Sequence, residues 1–132
     1  MILGVGVDLL HLPRLRSLLT RRDPLRLARR ICSPSELVQW KGLPVGTGAS
    51  ERFLALRWAA KEAAYKALHP SLRPTWKQLE VRKFDKKPFI AFSSLESFDH
   101  ADELEPHTVK MHLSVSHDAD LLVAYVVAER VG

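Results

Sequence analysis

Asp8 is the first residue in the chain whose type and position could do chemistry, and the chemistry is metal binding. It lies in the run MILGVGVDLL, in which Leu3, Val5, Val7 and Leu9 alternate with Gly4, Gly6 and Asp8. As a strand, that run has one apolar face and one face bare of side chains up to the carboxylate. Glycine inside a strand marks close approach by another backbone or a ligand. A carboxylate at the end of such a face is well placed to hold a cation; the competing reading is that Asp8 caps the helix that follows. The GVG is no dinucleotide fingerprint, because the third glycine and the immediate helix are missing.

The second set of candidates lies on the stretch RFLALRWAAKEAAYKAL, Arg52 to Leu68. Strong helix formers with no Gly or Pro predict a helix, and Ser50 just ahead can cap it. At about 100° per residue, Arg57 and Lys61 fall on one side and Arg52, Glu62 and Lys66 roughly opposite. Neither face is then simply solvent. Ala55, Ala59 and Ala63 run beside Glu62 and Lys66 as a strip of small side chains, which lets a backbone or ligand approach closely and sets Glu62 in crowded surroundings. The plainer alternative is a core helix with a solvated Glu62/Lys66 pair, worth about 0.2–0.5 kcal/mol.

The elements that must position these residues have to fit into 132 residues, 46% of them hydrophobic and 27% charged. That describes one soluble domain, 1–132, too small to enclose a large ligand alone, so a site shared between subunits is expected. The net charge of +5 favours an anionic partner. Nucleic acid, a phosphorylated ligand, an acidic protein and a membrane surface all qualify. Cys32 is the single cysteine, which excludes an intramolecular disulfide and a cysteine-rich zinc site and makes an intracellular setting the expectation. No apolar run reaches the ~18 residues of a membrane span, and the chain begins on a strand-like run without a charged leader.

Pro13 to Cys32 holds Arg14, Arg16, Arg21, Arg22, Arg26, Arg29 and Arg30 against Asp23 alone. Two short helices broken at Asp23-Pro24 are predicted, with the arginines either simply solvated or docked on an acidic helix, a phosphate backbone or lipid headgroups. Ser33-Pro34-Ser35-Glu36 is a capping box opening a helix to about Lys41, and Gly42 to Ser50 reads as a loop. After His69-Pro70, Leu79 to Phe84 and Phe89 to Phe92 read as strands around a turn at Asp85 to Pro88. Ser93-x-x-Glu96 caps an expected helix using Leu95, Phe98, Ala101 and Leu104. His112 to Ser116 and Leu121 to Ala128 form a hairpin with His117 at its tip, the second strand buried on both faces. The result is an α+β domain with a small, mainly antiparallel sheet. His107, His112 and His117 alternate strand faces, which disfavours a shared zinc site. A nucleic-acid module would need stacking aromatics on an exposed strand, and none is found.

With these pieces placed, the chain resembles the holo-acyl-carrier-protein synthases, the short 4′-phosphopantetheinyl transferases. Three motifs carry the resemblance in the family's order: GVGVDLL, RFLALRWAAKEAAYKAL with its W-A-A-K-E-A core, and HLSVSHD, with RLARRICSPSEL between the first two. The resemblance implies that fold, with a long central helix packed on the sheet, and a homotrimer with sites between subunits. It implies transfer of the 4′-phosphopantetheine arm of coenzyme A to a serine of an apo acyl carrier protein, releasing adenosine 3′,5′-bisphosphate. Asp8 and Glu62 would bind Mg²⁺ (Mn²⁺ as the alternative) together with the pyrophosphate, and Lys66 would stabilise that pyrophosphate. The base would be Glu62 or a metal-bound water. Arg57, Lys61, Lys66, Lys87, Pro88, Ser116 and His117 would line the coenzyme, and Arg14, Arg21, Arg22, Arg26 and Arg29 would dock the carrier protein. Two departures stand out: His69 to Pro74 replaces the family's glycine-rich turn, and Lys86-Lys87-Pro88 stands for its G-K-P. They suggest a mitochondrial matrix enzyme if the source is eukaryotic, and otherwise a bacterial cytoplasmic one.

Overall fold

A computed structural model of the chain describes residues 1–44, 46–94, 99–100 and 104–132, with the pair 99–100 described by its backbone alone. The first strand, β1 (Ile2–His11), leads into three short helices, α1 (Leu12–Arg21), α2 (Pro24–Ile31) and α3 (Pro34–Lys41), and then the long helix α4 (Ala49–Leu68). Short β2 (Leu72–Arg73) precedes the hairpin β3 (Leu79–Phe84) and β4 (Lys87–Phe92); then come β5 (Asp99–His100) and the hairpin β6 (Val109–Asp118) and β7 (Leu121–Arg130). The main sheet is antiparallel in the order β1-β7-β6, with β3-β4 and β2-β5 as separate two-stranded pairs.

Local chemistry explains the boundaries. Asp23 caps α2 by accepting from Leu25 N, with Pro24 at its start, and Ser33 and Glu36 close a reciprocal capping box on α3. The start of α4 differs from the expected Ser50 cap: Gly48, left-handed at φ 72°, takes the cap position, and Ala49 N donates to Thr47 Oγ1. Glycine reaches that conformation without the steric cost that serine would carry. The β3–β4 turn is likewise tighter than the expected Asp85 to Pro88. Asp85 and Lys86 both have positive φ, the two-residue turn whose twist matches the strands, so Lys87 and Pro88 already belong to β4. At the β6–β7 hairpin the turn closes on Ala119, which leaves His117 inside β6 rather than at the tip. Most of the helix expected from Ser93 lies outside the described residues, Leu95, Glu96, Phe98 and Ala101 among them. Asp99–His100 within it pair instead with Leu72–Arg73 as strand, which gives both segments backbone partners.

Packing centres on α4. Leu54, Ala55, Ala59, Ala60, Ala63, Ala64, Ala67 and Leu68 are buried against the sheet and the short helices. The glycine face of β1 lies directly on α4: a Cβ at Gly6 would overlap the carbonyl oxygen of Ala63 and sit 2.9 Å from Ala67 N, and one at Gly4 would overlap the carbonyl of Ala67. The expected close approach is therefore made by the protein's own helix backbone. The other face of β1 is open, with Val5, Val7 and Leu9 half exposed or more, and Leu121 and Tyr125 of β7 are exposed as well. β7 is thus buried on one face, not both.

Gly6→Ala is expected to destabilise the fold by about 3 kcal/mol or more, because the obstacle is backbone that cannot step aside. Gly42→Ala, where a Cβ meets nothing closer than 3.5 Å, should be near neutral. Urea unfolding of the two variants measures the contrast, and equal midpoints would show that the β1–α4 contact is not tight.

Candidate active site

Asp8 leaves the bare face of β1 opposite Ala124 of β7 and so points toward α4, not toward the cap of α1. From α4, Lys66 Nζ donates to the carbonyl of Val7 at 2.9 Å and reaches Asp8 Oδ1 at 3.4 Å. Glu62 sits one turn earlier on the same stripe. Burial pushes the carboxyls of Asp8 and Glu62 up from their ordinary values; the charge of Asp8 pushes Glu62 further, and Lys66 partly opposes both shifts. Two carboxylates thus share one half-exposed ammonium, which leaves negative charge uncompensated.

That donor set fits a hard divalent cation. Among the described residues no group of three or more His, Cys, Asp or Glu could hold a metal by itself. A cation at Asp8 and Glu62 must therefore complete its shell with substrate or water oxygens, which is the habit of Mg²⁺. Beside Glu62 opens a cavity of about 230 Å³ lined by Lys61, Tyr65, Pro74, Thr75, Trp76 and Leu79. Trp76 is held edge-on to Trp58, ring centroids 6.0 Å apart, and Tyr65 lies against His69. Tyr65 follows Glu62 by three residues, so helix spacing could have found it. Trp76 comes from a segment with no periodic signal, and only the packing of that segment on α4 brings it in.

The opposite stripe of α4 has a different destination. Lys61 is fully buried and gives its three donors to Glu36 Oε1 at 2.6 Å, Ile31 O at 2.7 Å and Trp76 O at 2.9 Å. Arg57, also buried, lies 3.5 Å from Glu36 Oε2 and over the ring of Phe53. Glu36 further accepts from Ser33 N and Val81 N. Burial lowers the pKa of both Arg57 and Lys61, and the negative charge of Glu36 opposes that shift. Sequence reasoning identified Glu36 only as a capping residue; its second role as the buried counter-ion had no local signal. Neighbouring Cys32 is pushed up to about 11 by burial and by Glu36, so its thiol is not an activated nucleophile.

Within one chain Lys87, Pro88 and Ser116 do not join Asp8 and Glu62. Lys87 and Pro88 border a separate cavity of about 320 Å³ with Phe84, Phe89, Lys110 and His112. Ser116 pairs across β7 with Val123, which pairs with Leu9, so it shares the outer sheet face, away from Asp8. His117, exposed near the end of β6, pairs with Leu122, which pairs with Leu10, so it lies on the same sheet face as Asp8. Arg14, Arg21, Arg22, Arg26 and Arg29 are all exposed on α1, α2 and their junction, while Arg16 is held by Glu51 at 2.9 Å.

Comparison with known proteins shows the family and the fold. The family model of the 4′-phosphopantetheinyl transferase superfamily matches residues 4–126. The holo-acyl-carrier-protein synthase of Geobacillus kaustophilus is 38% identical over 100% of this chain and 92% of its own length. The solved structure of such a synthase from Bacillus anthracis, in complex with CoA (3′,5′-ADP), superposes with a TM-score of 0.74 at 31% identity over 98% of each chain. The Neisseria meningitidis synthase gives a TM-score of 0.78 at 29% identity, covering 98% of this chain and 100% of that one.

Two outcomes follow from the charges. Lys61→Met should cost about 3–5 kcal/mol by stranding Glu36 in the interior; the double variant Lys61→Met with Glu36→Gln should recover part of that loss in urea unfolding, and no recovery would mean the two do not act as a pair. Because the folded-state pKa values of Asp8 and Glu62 lie above their unfolded values, the folded chain binds more protons than the unfolded one above about pH 4. Their contribution to stability therefore falls as pH rises through the raised values. In chelator, Glu62→Gln should flatten this part of the thermal midpoint's pH dependence; profiles parallel to the wild type would refute the assignment.

Proposed function

The chain belongs to the 4′-phosphopantetheinyl transferase superfamily, and we propose that it is a holo-acyl-carrier-protein synthase in which Asp8, Glu62 and Lys66 form the reactive centre. As an enzyme of this kind it moves the 4′-phosphopantetheine arm of coenzyme A onto a serine hydroxyl of apo acyl carrier protein. The bond from serine oxygen to the β-phosphorus forms, the bond from that phosphorus to the bridging pyrophosphate oxygen breaks, and adenosine 3′,5′-bisphosphate leaves. The observation that carries the reading is the juxtaposition of Asp8 with the Glu62/Lys66 stripe across β1 and α4, in a chain similar over its whole length to named synthases.

Asp8 and Glu62 would hold Mg²⁺, with Mn²⁺ as the alternative, and the ion when bound supplies charge neutralisation on the pyrophosphate oxygens. Lys66, anchored by the Val7 carbonyl and half exposed, presents an ammonium toward the leaving oxygens. Glu62, which borders the cavity, or a water held beside it would accept the serine proton. The cavity of Tyr65, Pro74 and Trp76 gives the pantetheine arm an apolar wall next to Glu62. Lys87, Pro88, Ser116 and His117 are assigned to the coenzyme. Arg57 and Lys61, expected there too, are better accounted for as supports that fix α4 from behind.

A homotrimer is supported by the outer face of the β1-β7-β6 sheet, where Val7 is 51% and Leu9 65% exposed, since an apolar face of this kind marks an interaction surface. Ser116 lies on that face, so on this reading it meets a coenzyme held by a neighbouring copy. The whole chain, 1–132, acts as one transferase domain. No helix among the described residues is long and apolar enough to cross a membrane, and the bacterial relatives favour a bacterial cytoplasmic setting over the mitochondrial matrix.

Intact-mass spectrometry of apo acyl carrier protein incubated with coenzyme A, Mg²⁺ and this protein should show the gain of one phosphopantetheine arm. Asp8→Ala, Glu62→Ala or added chelator should abolish it, and a gain that survives all three would remove the carboxylates from the mechanism. Charge reversal at Arg14 and Arg21 should raise the KM for carrier protein more than that for coenzyme A. Equal effects on both would sink the docking surface. Sedimentation equilibrium of the same samples reads the trimer, and a monomeric mass would overturn it.

A further inference from the structure

The cavity beside Glu62 is walled by two aromatic side chains that the transfer reaction does not itself require. Tyr65 stands one turn beyond Glu62 on α4 and is 39% exposed, and Trp76, half-buried, lines the same space from the segment after β2. Both rings are held in place by the protein. The Trp76 indole is edge-on to Trp58, its carbonyl accepts from Lys61 Nζ at 2.9 Å, and Thr75 N donates to Gln78 Oε1 at 2.8 Å. The Tyr65 ring lies 5.6 Å from that of His69. Walls fixed in advance lose little freedom when a ligand arrives, so they can discriminate by shape. We propose that Tyr65 and Trp76 are specificity-determining residues: they enclose the two methyl groups that coenzyme A carries next to its reacting phosphate, and so favour the branched arm over a linear one.

Size, charge and position together select that group. At about 230 Å³ the cavity is smaller than the roughly 300–1,000 Å³ of sites that enclose a whole ligand, so it suits a fragment of the coenzyme. The one cation of the lining, Lys61, has given its three donors to Glu36, Ile31 O and Trp76 O. None is left for a phosphate, which disfavours the nucleotide end with its 3′-phosphate and favours the uncharged arm. Glu62 is itself part of the lining, so the space begins at the reactive centre and suits the group joined directly to the reacting phosphoryl. In coenzyme A that group is a methylene followed by a quaternary carbon bearing two methyls, with the amides and the thiol farther along. Two aromatic rings, with buried Pro74 and Leu79 in the same wall, offer such a carbon apolar contact on several sides.

The inference rests on the transferase reading, and one experiment separates the two. The kcat/KM for transfer to apo acyl carrier protein is measured by intact mass with coenzyme A and with its analogue lacking both methyl groups, for the wild type, Tyr65→Ala and Trp76→Ala. The wild type is expected to favour coenzyme A by about tenfold or more, the effect of losing two enclosed methyls. Each variant should reduce that preference to about threefold or less. A ratio taken on one preparation cancels the fraction folded, so lost stability in Trp76→Ala cannot imitate the result, and Tyr65→Ala removes a partly exposed side chain. Equal values in the wild type overturn the inference and leave the transferase reading standing. A preference that both variants keep in full belongs to the stiffness of the branched arm and overturns the inference as well. Transfer from neither substrate by the wild type overturns the transferase reading and this inference with it.

Discussion

The contact on which the rest of this structure depends is backbone against backbone. Gly4 and Gly6 of β1 lie on the carbonyls of Ala67 and Ala63 so closely that neither position has room for a methyl group. Each glycine costs on the order of 0.5–1 kcal/mol of strand stability relative to alanine. The return is proximity. Asp8, the next residue on that face, arrives within reach of Lys66 and inside the field of Glu62. With ordinary strand residues at 4 and 6 the helix would stand farther off, and the carboxylates would belong to two separate surfaces. The chemistry of Asp8 is set by two residues that have no side chains.

The second constraint acts from the other side of the helix. A 20-residue α4 with ionisable groups on opposite faces could rotate to expose either stripe, because alanine offers little shape to fix its orientation. The Glu36 cluster removes that freedom. Glu36 is fully buried, and its two oxygens meet Lys61, Ser33 N and Val81 N, with Arg57 3.5 Å away. A buried ion pair is a weak source of net stability, but breaking one is costly, and any rotation of α4 would break this one. The cluster also joins α3, α4 and β3 to the end of α2 through Ile31 O. The stripe that stays outside, Glu62 and Lys66, is the one left for a ligand.

This division marks how far the sequence could be read. The caps at Asp23 and Ser33, the arginine-rich helices and the two hairpins were legible because each rests on contacts within a few residues, and the glycine face of β1 because the alternation itself marks it, though its partners Ala63 and Ala67 are far along the chain. The polar stripes of α4 were legible as two, but periodicity gives angles between residues and not their destinations. Lys61 and Glu62 are adjacent in sequence, yet one is sealed by Ile31, Glu36 and Trp76 and the other borders open space. The deciding partners lie 15 to 30 residues away from Lys61. Trp76 was unreadable for the same reason, and the Asp85-Lys86 turn because neither residue is a glycine, the usual signal for positive φ.

Alternation along the strands separates Ser116 from Asp8 and Glu62 within one chain. Side chains alternate along a strand, so a three-stranded sheet with one face on α4 must send every second residue the other way. Asp8 takes the inner face, and its neighbours Val7 and Leu9 take the outer one together with Tyr125, Val123 and Ser116. No rotamer carries Ser116 through the sheet to Glu62. Among the described residues Val5, Val7 and Leu9 of that outer face stay exposed, and such side chains disfavour leaving it in water. Covering the face with a second copy would remove the apolar surface and bring the outward-facing polar residues toward a neighbour's inward-facing centre. The apolar pattern of β1 and the separation of Ser116 from Asp8 are then consequences of one alternation.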